Sequence, residues 1–182
     1  MISAELQLEW ARQLRSTSRD ERERALAAVC AAFQGPLFQM ALRITCNAAD
    51  ADDALQETWL DVARGIAGFR AEAKLSTWLF RIAIRHAARV RNQRRSKAGL
   101  ELDEASAAPR EADPAHVAGE LDAAKRLLKA IAKLPLEQRV VLGLAVGDEL
   151  PYAEIATILG IPEGTVASRL HAARDNLRAR LR

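Results

Sequence analysis

Three groups of residues have the types and spacing to do chemistry. Asp53 and Glu57 stand four positions apart with Gln56 beside them, so on a helix the three share one side. Carboxylates so placed suit the positive end of a helix. They would also suit one wall of a metal site, but no histidine and no second acidic helix matches them, so no metal ligand is assigned. The second group is basic. Arg81, Arg85, Arg89, Arg91, Arg94, Arg95 and Lys97 lie in one stretch without a single acid. The third group is near the C-terminal end. Glu163, Gly164, Thr165, Ser168, Arg169, His171 and Arg174 fall off the apolar stripe of their segment, short side chains first and bases later. Short side chains let a helix approach base edges, and guanidinium groups reach bases or phosphates. The chemistry on offer is polyanion recognition at two separate basic surfaces.

Bond-making chemistry finds no footing. His86, His116 and His171 form no constellation, and Ser168 has no histidine and acid arranged to activate it. No Gly-rich phosphate loop follows a strand, and no segment reads as a strand at all. Cys30 and Cys46 have neither metal-ligand spacing nor a disulfide pattern, and Cys30 reads as a small core residue.

The elements that position these groups are helices. Tyr152, Ile155, Ala156 and Leu159 make an apolar stripe on a short helix. Gly160 follows, where a chain leaving a helix often needs positive φ. Pro162 is tolerated in the first turn of the next helix. Val166, Leu170, Ala173, Leu177 and Leu181 then form that helix's inner face. This is a helix-turn-helix pattern. After Arg169 its only acid is Asp175, whereas a solvated helix in a neutral bundle mixes signs more evenly.

Upstream, residues 1–15 predict an amphipathic helix with Leu6, Trp10 and Leu14 inside. A second helix runs from about Asp20 toward Ile44, interrupted at Gly35-Pro36. A third carries Leu55, Trp59, Val62 and Ile66 inward. A polar loop over residues 70–75 leads to a long helix, capped by Ser76 or Thr77, with Leu79, Ile82, Ala83, His86, Ala87 and Val90 inside. Residues 96–120 are rich in Ala, Pro and acid without a sustained period and predict a flexible linker. The fold class expected is all-α: two small helical domains, 1–95 and 121–182, joined by that linker. The chain is 49% hydrophobic but only 4% aromatic, so Ala, Leu, Ile and Val must build both cores. No apolar run approaches a bilayer span of roughly 20 residues, and no signal peptide is evident, which predicts a cytoplasmic protein.

Three segments in this order resemble bacterial RNA polymerase sigma factors of the extracytoplasmic-function group. They are DADDALQETWLDVARGIAGFR (50–70), STWLFRIAIRHAARVRNQRR (76–95) and LPLEQRVVLGLAVGDELPYAEIATILGIPEGTVASRLHAARDNLRARLR (134–182). The resemblance covers nearly everything but the linker. It implies a non-catalytic protein without cofactor or metal. It implies core RNA polymerase and promoter DNA as partners, and a cognate anti-sigma factor as a third.

The resemblance also assigns residues. Asp53, Gln56 and Glu57 match the face that docks on a coiled coil of the largest polymerase subunit. Residues 70–75 match the loop that captures a base flipped from the −10 element, which gives Arg70, Lys74, Ser76, Arg81, Arg85 and Arg89 a −10 role. Glu163, Gly164, Thr165, Ser168, Arg169, His171 and Arg174 match the −35 reading helix. The linker matches a segment threading the polymerase cleft. Ala167 and Ala172 depart from relatives that carry larger or basic residues there, and Arg89 stands where an aspartate is common. An alanine can touch a thymine methyl but cannot hydrogen-bond a base, so readout leans on the neighbours and on DNA shape. From the residues alone, a helix-turn-helix regulator that acts without being a polymerase subunit remains the alternative.

Overall fold

The computed structural model describes residues 2–97, 114–146 and 150–181. Within them every regular element is a helix: α1 (Ala4–Gln13), α2 (Arg19–Thr45), α3 (Ala48–Gly65), α4 (Leu75–Lys97), α5 (Pro114–Ala132), α6 (Leu136–Ala145), α7 (Tyr152–Leu159) and α8 (Glu163–Leu181), with a 3-10 turn at Ile66–Gly68. The all-α expectation holds.

Local chemistry sets the helix ends. The side chains of Ser3, Ser18 and Asn47 accept from the N–H groups of Leu6, Glu21 and Asp50, at 3.2, 3.4 and 3.0 Å. Cys46 ends α2 in the left-handed region at φ 58°, and its N–H donates to Leu42 O at 2.7 Å. Gly160 ends α7 the same way at φ 65°, where only glycine is free of strain. This is the positive φ expected between the two helices of the motif.

Helices α1–α4 form one cluster and α5–α8 another. The core is continuous between them. It runs from Trp10, Val29, Phe33, Leu37, Met40 and Ile44 through Leu79 and Ala83 to Val141, Leu144, Ile155, Val166 and Leu170. Each such Leu or Ile contributes about 1.5–3 kcal/mol by leaving water. Two separate small cores were expected; instead α6 lies on α2 and α7 lies on α4.

Several expectations are corrected. α2 runs unbroken through Gly35-Pro36, because Phe33 and Leu37 on either side are anchored in the core and hold the helix across the lost hydrogen bond. This helix is also long and apolar enough to cross a bilayer, with a mean hydropathy of 1.5 over its best stretch. Its apolar face is spent on the bundle core. Leu6 is 43% exposed, and Gln7 takes its inner place by donating to Ile2 O at 3.2 Å and accepting from the Ser76 N–H at 3.0 Å. α4 starts at Leu75, so neither Ser76 nor Thr77 stands at its cap. Cys30 is only half-buried.

α7 buries Ile155 and Ile158 and leaves Tyr152 outside, because it packs on both α8 and α4 and so buries a broader arc than one stripe. Leu181, at the end of α8, is exposed. Residues 98–113 of the expected linker lie outside the described residues. Its last part is helical, since α5 opens at Pro114, where the fixed φ of proline suits a first turn.

Candidate nucleic-acid interface

α3 is two-faced. Ala51, Ala54, Leu55, Thr58 and Val62 are buried, and the Thr58 hydroxyl donates to Ala54 O at 2.7 Å. Asp53, Gln56 and Glu57 are all exposed on the opposite side. Asp52 is exposed as well, but Asp50 and Asp61 are not equivalent to these. Asp50 accepts from Arg94 Nη1 at 3.1 Å, and Asp61 meets Arg85 Nη2 at 2.9 Å and His86 Nε2 at 2.8 Å. Asp50 and Asp61 therefore tie α3 to α4, while Asp53 and Glu57 have no ion pair or hydrogen bond among the described residues.

The residues expected at the −10 element lie in the loop before α4 and along the helix from Ser76 to Arg89. The Trp78 ring lies over Gly65, where a Cβ would sit in ordinary contact 3.4 Å from Trp78 Cζ2. Trp78 stacks at a tilt on Phe69, with ring centroids 5.3 Å apart. This packing fixes the loop that follows, in which Ala71 adopts φ 58° and Arg70 is exposed. Lys74 Nζ pairs with Glu154 Oε2 at 2.9 Å, and Ser76 Oγ, in a buried residue, lies 3.5 Å from Glu154 Oε1. Arg81 donates from Nε to Ile158 O at 3.0 Å and from Nη2 to Thr157 O at 2.6 Å. Arg85 is tied to Asp61, and Arg89 is exposed. His86 is buried, as its inward stripe predicts.

The residues expected at the −35 element sit together on α8. Val166, Leu170 and Ala173 face the core. Glu163, Gly164, Ser168, His171 and Arg174 are exposed, and Thr165 and Arg169 are half-buried. Among the described residues Ser168 Oγ donates only to Thr165 O of its own helix, at 3.1 Å, and His171 meets only Asp175, at 3.5 Å. The first turns of α8 thus present an open surface.

Sequence reasoning missed two residues at the seam. Arg139 of α6 is 5% exposed; it donates to Leu134 O and to Ile44 O at 3.1 Å each and lies 3.7 Å from Cys46 Sγ. Burial pulls its guanidinium below the ordinary value. The Cys46 thiol opposes this, and Arg91 and Arg95 reinforce it. Burial likewise pushes the Cys46 thiol up, and the neighbouring Arg139 and Arg91 oppose this. The available signal was an arginine inside the apolar run of α6, four positions before Gly143 and so on the same side. Glu154 was the other omission, because its role depends on how the two clusters meet. No group of three His, Cys, Asp or Glu among the described residues is arranged to hold a metal.

Comparisons with known proteins agree on one family. The sigma-70 region 2 family model matches residues 30–97, and the sigma-70 region 4 family model matches residues 124–177. The chain is 33% identical over 170 residues to the ECF RNA polymerase sigma factor SigW of Bacillus subtilis, spanning 87% of this chain and 89% of that one. It is 37% identical over 149 residues to SigL of Mycobacterium tuberculosis, spanning 80% and 82%. Among solved structures, CnrH in complex with the cytosolic domain of CnrY has the same fold, with a TM-score of 0.73 over 97% of both chains at 24% identity. RpoE of Bartonella quintana, in complex with the anti-sigma factor NepR, gives a TM-score of 0.69 over 85% of this chain and 95% of that one at 21% identity. Two family models in the expected order, and a relative one-third identical along most of both chains, decide between sigma factor and stand-alone regulator: the chain belongs to the extracytoplasmic-function group of RNA polymerase sigma factors, non-catalytic proteins that direct core RNA polymerase to promoters.

Proposed function

We propose that this sigma factor divides its work between its two clusters. Residues 1–95 dock on core polymerase through Asp53, Gln56 and Glu57, and capture the melted −10 strand with Arg70, Lys74, Ser76, Arg81, Arg85 and Arg89. Residues 121–182 read the −35 duplex with α8, using Glu163, Gly164, Thr165, Ser168, Arg169, His171 and Arg174. Ala167 is half-buried and adds no donor, so direct readout rests on its neighbours. Residues 96–120 connect the two clusters within the polymerase. The protein acts in the cytoplasm. A cognate anti-sigma factor covering these surfaces is the expected regulator, as the solved complexes of CnrH with CnrY and of RpoE with NepR suggest.

The observation that carries the docking assignment is the sidedness of α3. Asp50 and Asp61 are held by Arg94, Arg85 and His86, whereas Asp53 and Glu57 stay exposed and, among the described residues, unpaired on a capped helix. Unpaired carboxylates on a helix face suit a cationic protein partner. The test is a double reversal, D53K/E57K. It should weaken binding to core polymerase by about tenfold or more and leave binding of −35 duplex by the free chain unchanged. Unaltered polymerase affinity would remove these residues from the docking face.

A further inference from the structure

The region 2 family model starts at residue 30, so it assigns α1 no role. Trp10, Ala11 and Leu14 lay this helix on the bundle, and the Trp10 ring meets Phe33 of α2 edge-on, with centroids 6.4 Å apart. One polar side chain on the same face is buried with them. Gln7 is 8% exposed. A buried amide persists where its polar atoms find partners. Here Nε2 donates to Ile2 O, and Oε1 accepts the Ser76 N–H from 69 positions away in the chain.

That second bond falls at the start of α4. The Trp78 N–H donates to Lys74 O at 3.2 Å, so Lys74 stands at the cap and Ser76 two positions inside. The first N–H groups of a helix have no intrahelical acceptor, and a side chain at the cap ordinarily supplies one. Lysine carries no acceptor. Gln7 supplies it instead, from another helix. The loop over residues 70–75 is therefore held by two contacts, the Phe69–Trp78 ring pair and the Gln7–Ser76 bond.

We infer that Gln7 is a positioning residue for −10 recognition: by capping α4 from α1, it holds Lys74 and Ser76 at the spacing that the single strand meets. This deepens the −10 assignment proposed above and rests on it. The Ser76 N–H is spent on Gln7, so the strand meets the Ser76 hydroxyl and the Lys74 ammonium. Without the cap, the first turn of α4 holds a buried N–H that lacks an acceptor. Fraying that turn lets the N–H reach water, and it moves both side chains together with the loop before them. The loss is one of fit, so preference among bases falls along with affinity. Loss of a phosphate contact alone would weaken every strand alike.

Three variants test this in holoenzyme assembled from the full chain and core polymerase. Q7M keeps the length and bulk of the side chain and removes the acceptor. Q7E keeps the acceptor and gives up the donation to Ile2 O. V29A opens space in the core at α2, where Val29 is fully buried, and leaves the Gln7 bond in place. The probes are a single strand bearing the −10 sequence, mapped first by run-off transcription, and the same strand with each −10 base changed in turn. Anisotropy reads affinity, and melting temperature reads folding. We expect Q7M to weaken cognate binding about three- to tenfold, the equilibrium weight of one net hydrogen bond, and to flatten the preference for the cognate strand by a similar factor. Q7E should stay within about twofold of wild type in both respects. V29A should melt lower yet keep the full preference.

A Q7M holoenzyme with its preference intact, or an equal loss of preference in Q7M and V29A, would reduce Gln7 to a packing residue and overturn the inference. So would a Q7E that behaves like Q7M, because the acceptor would then not be what matters. K74A checks the assignment underneath and should weaken binding of the cognate strand. If K74A binds every strand as wild type does, the −10 assignment of Lys74 fails and the inference falls with it. A normal loss in K74A beside an unaltered preference in Q7M sinks the inference alone.

Discussion

Helices α4 and α8 are both rich in arginine and both are assigned to DNA, yet they hold their cations in opposite ways. On α4 the cations reach out to other elements: Arg81 to the end of α7, Arg85 to Asp61 and Arg94 to Asp50 of α3. On α8 the arginine bonds stay within the helix: Arg178 meets Asp175 and Arg180 meets Asn176 O, each about a turn away. A basic helix read from sequence is therefore two different objects. α4 is a strut whose charges hold the bundle as well as any ligand. α8 is held by its apolar stripe and by Asn176, which donates to Gln138 of α6 at 3.0 Å, and its bonded cations are tied only within their own helix among the described residues.

The largest effect expected from this contrast is at the seam. R139A removes the donor shared by Leu134 O and Ile44 O and leaves both carbonyls buried without it. It should cost about 2–4 kcal/mol of stability in urea unfolding. R178A, on exposed α8, should change stability by about 0.5 kcal/mol at most. Equal effects from the two variants would mean that water enters the seam and that the clusters are less firmly joined than their shared core implies.

A smaller effect, in binding rather than folding, sharpens the other half. R169A should weaken binding to the −35 duplex by about 1–3 kcal/mol if its guanidinium reads a base edge. The loss should be confined to the cognate sequence and measured by anisotropy at fixed salt. An equal loss on every duplex would make Arg169 a phosphate contact, and α8 would then read its site through shape and its short first-turn side chains.

The α8 half of this contrast was legible in the sequence and the α4 half was not. Gly160, Pro162 and the stripe from Val166 to Ala173 act through local rules of helix ending and periodicity, so the helix-turn-helix could be read residue by residue. The exposed trio on α3 was legible for the same reason. Arg81, Glu154 and Arg139 act only through contacts between segments tens of residues apart, and no periodicity encodes which cluster lies on which. Leu6 and Tyr152 show the same limit. Each sits where a stripe would bury it, but tertiary packing chose Gln7 and Ile158 instead. Pro36 shows the converse, a local breaker overridden by core residues on both sides.

The smallest effect tests whether α4's ties are energetic or merely geometric. His86, chiefly through its hydrogen bond, holds the Asp61 carboxyl below its ordinary value of 3.8. Its charge and Arg85 add to this, and desolvation opposes it. A carboxylate whose pKa is depressed on folding adds stability above the unfolded-state pKa, and that stability is lost as pH falls through the folded one. Wild-type protein should therefore lose melting temperature below about pH 4 more steeply than D61N, whose amide does not titrate. At neutral pH the two should differ little, because Asp61 is partly exposed and water screens its pairs. If D61N kept the full acid slope, Asp61 would not be what fastens α4 to α3. The distinction between the two basic helices would then rest on Arg81 and the seam alone.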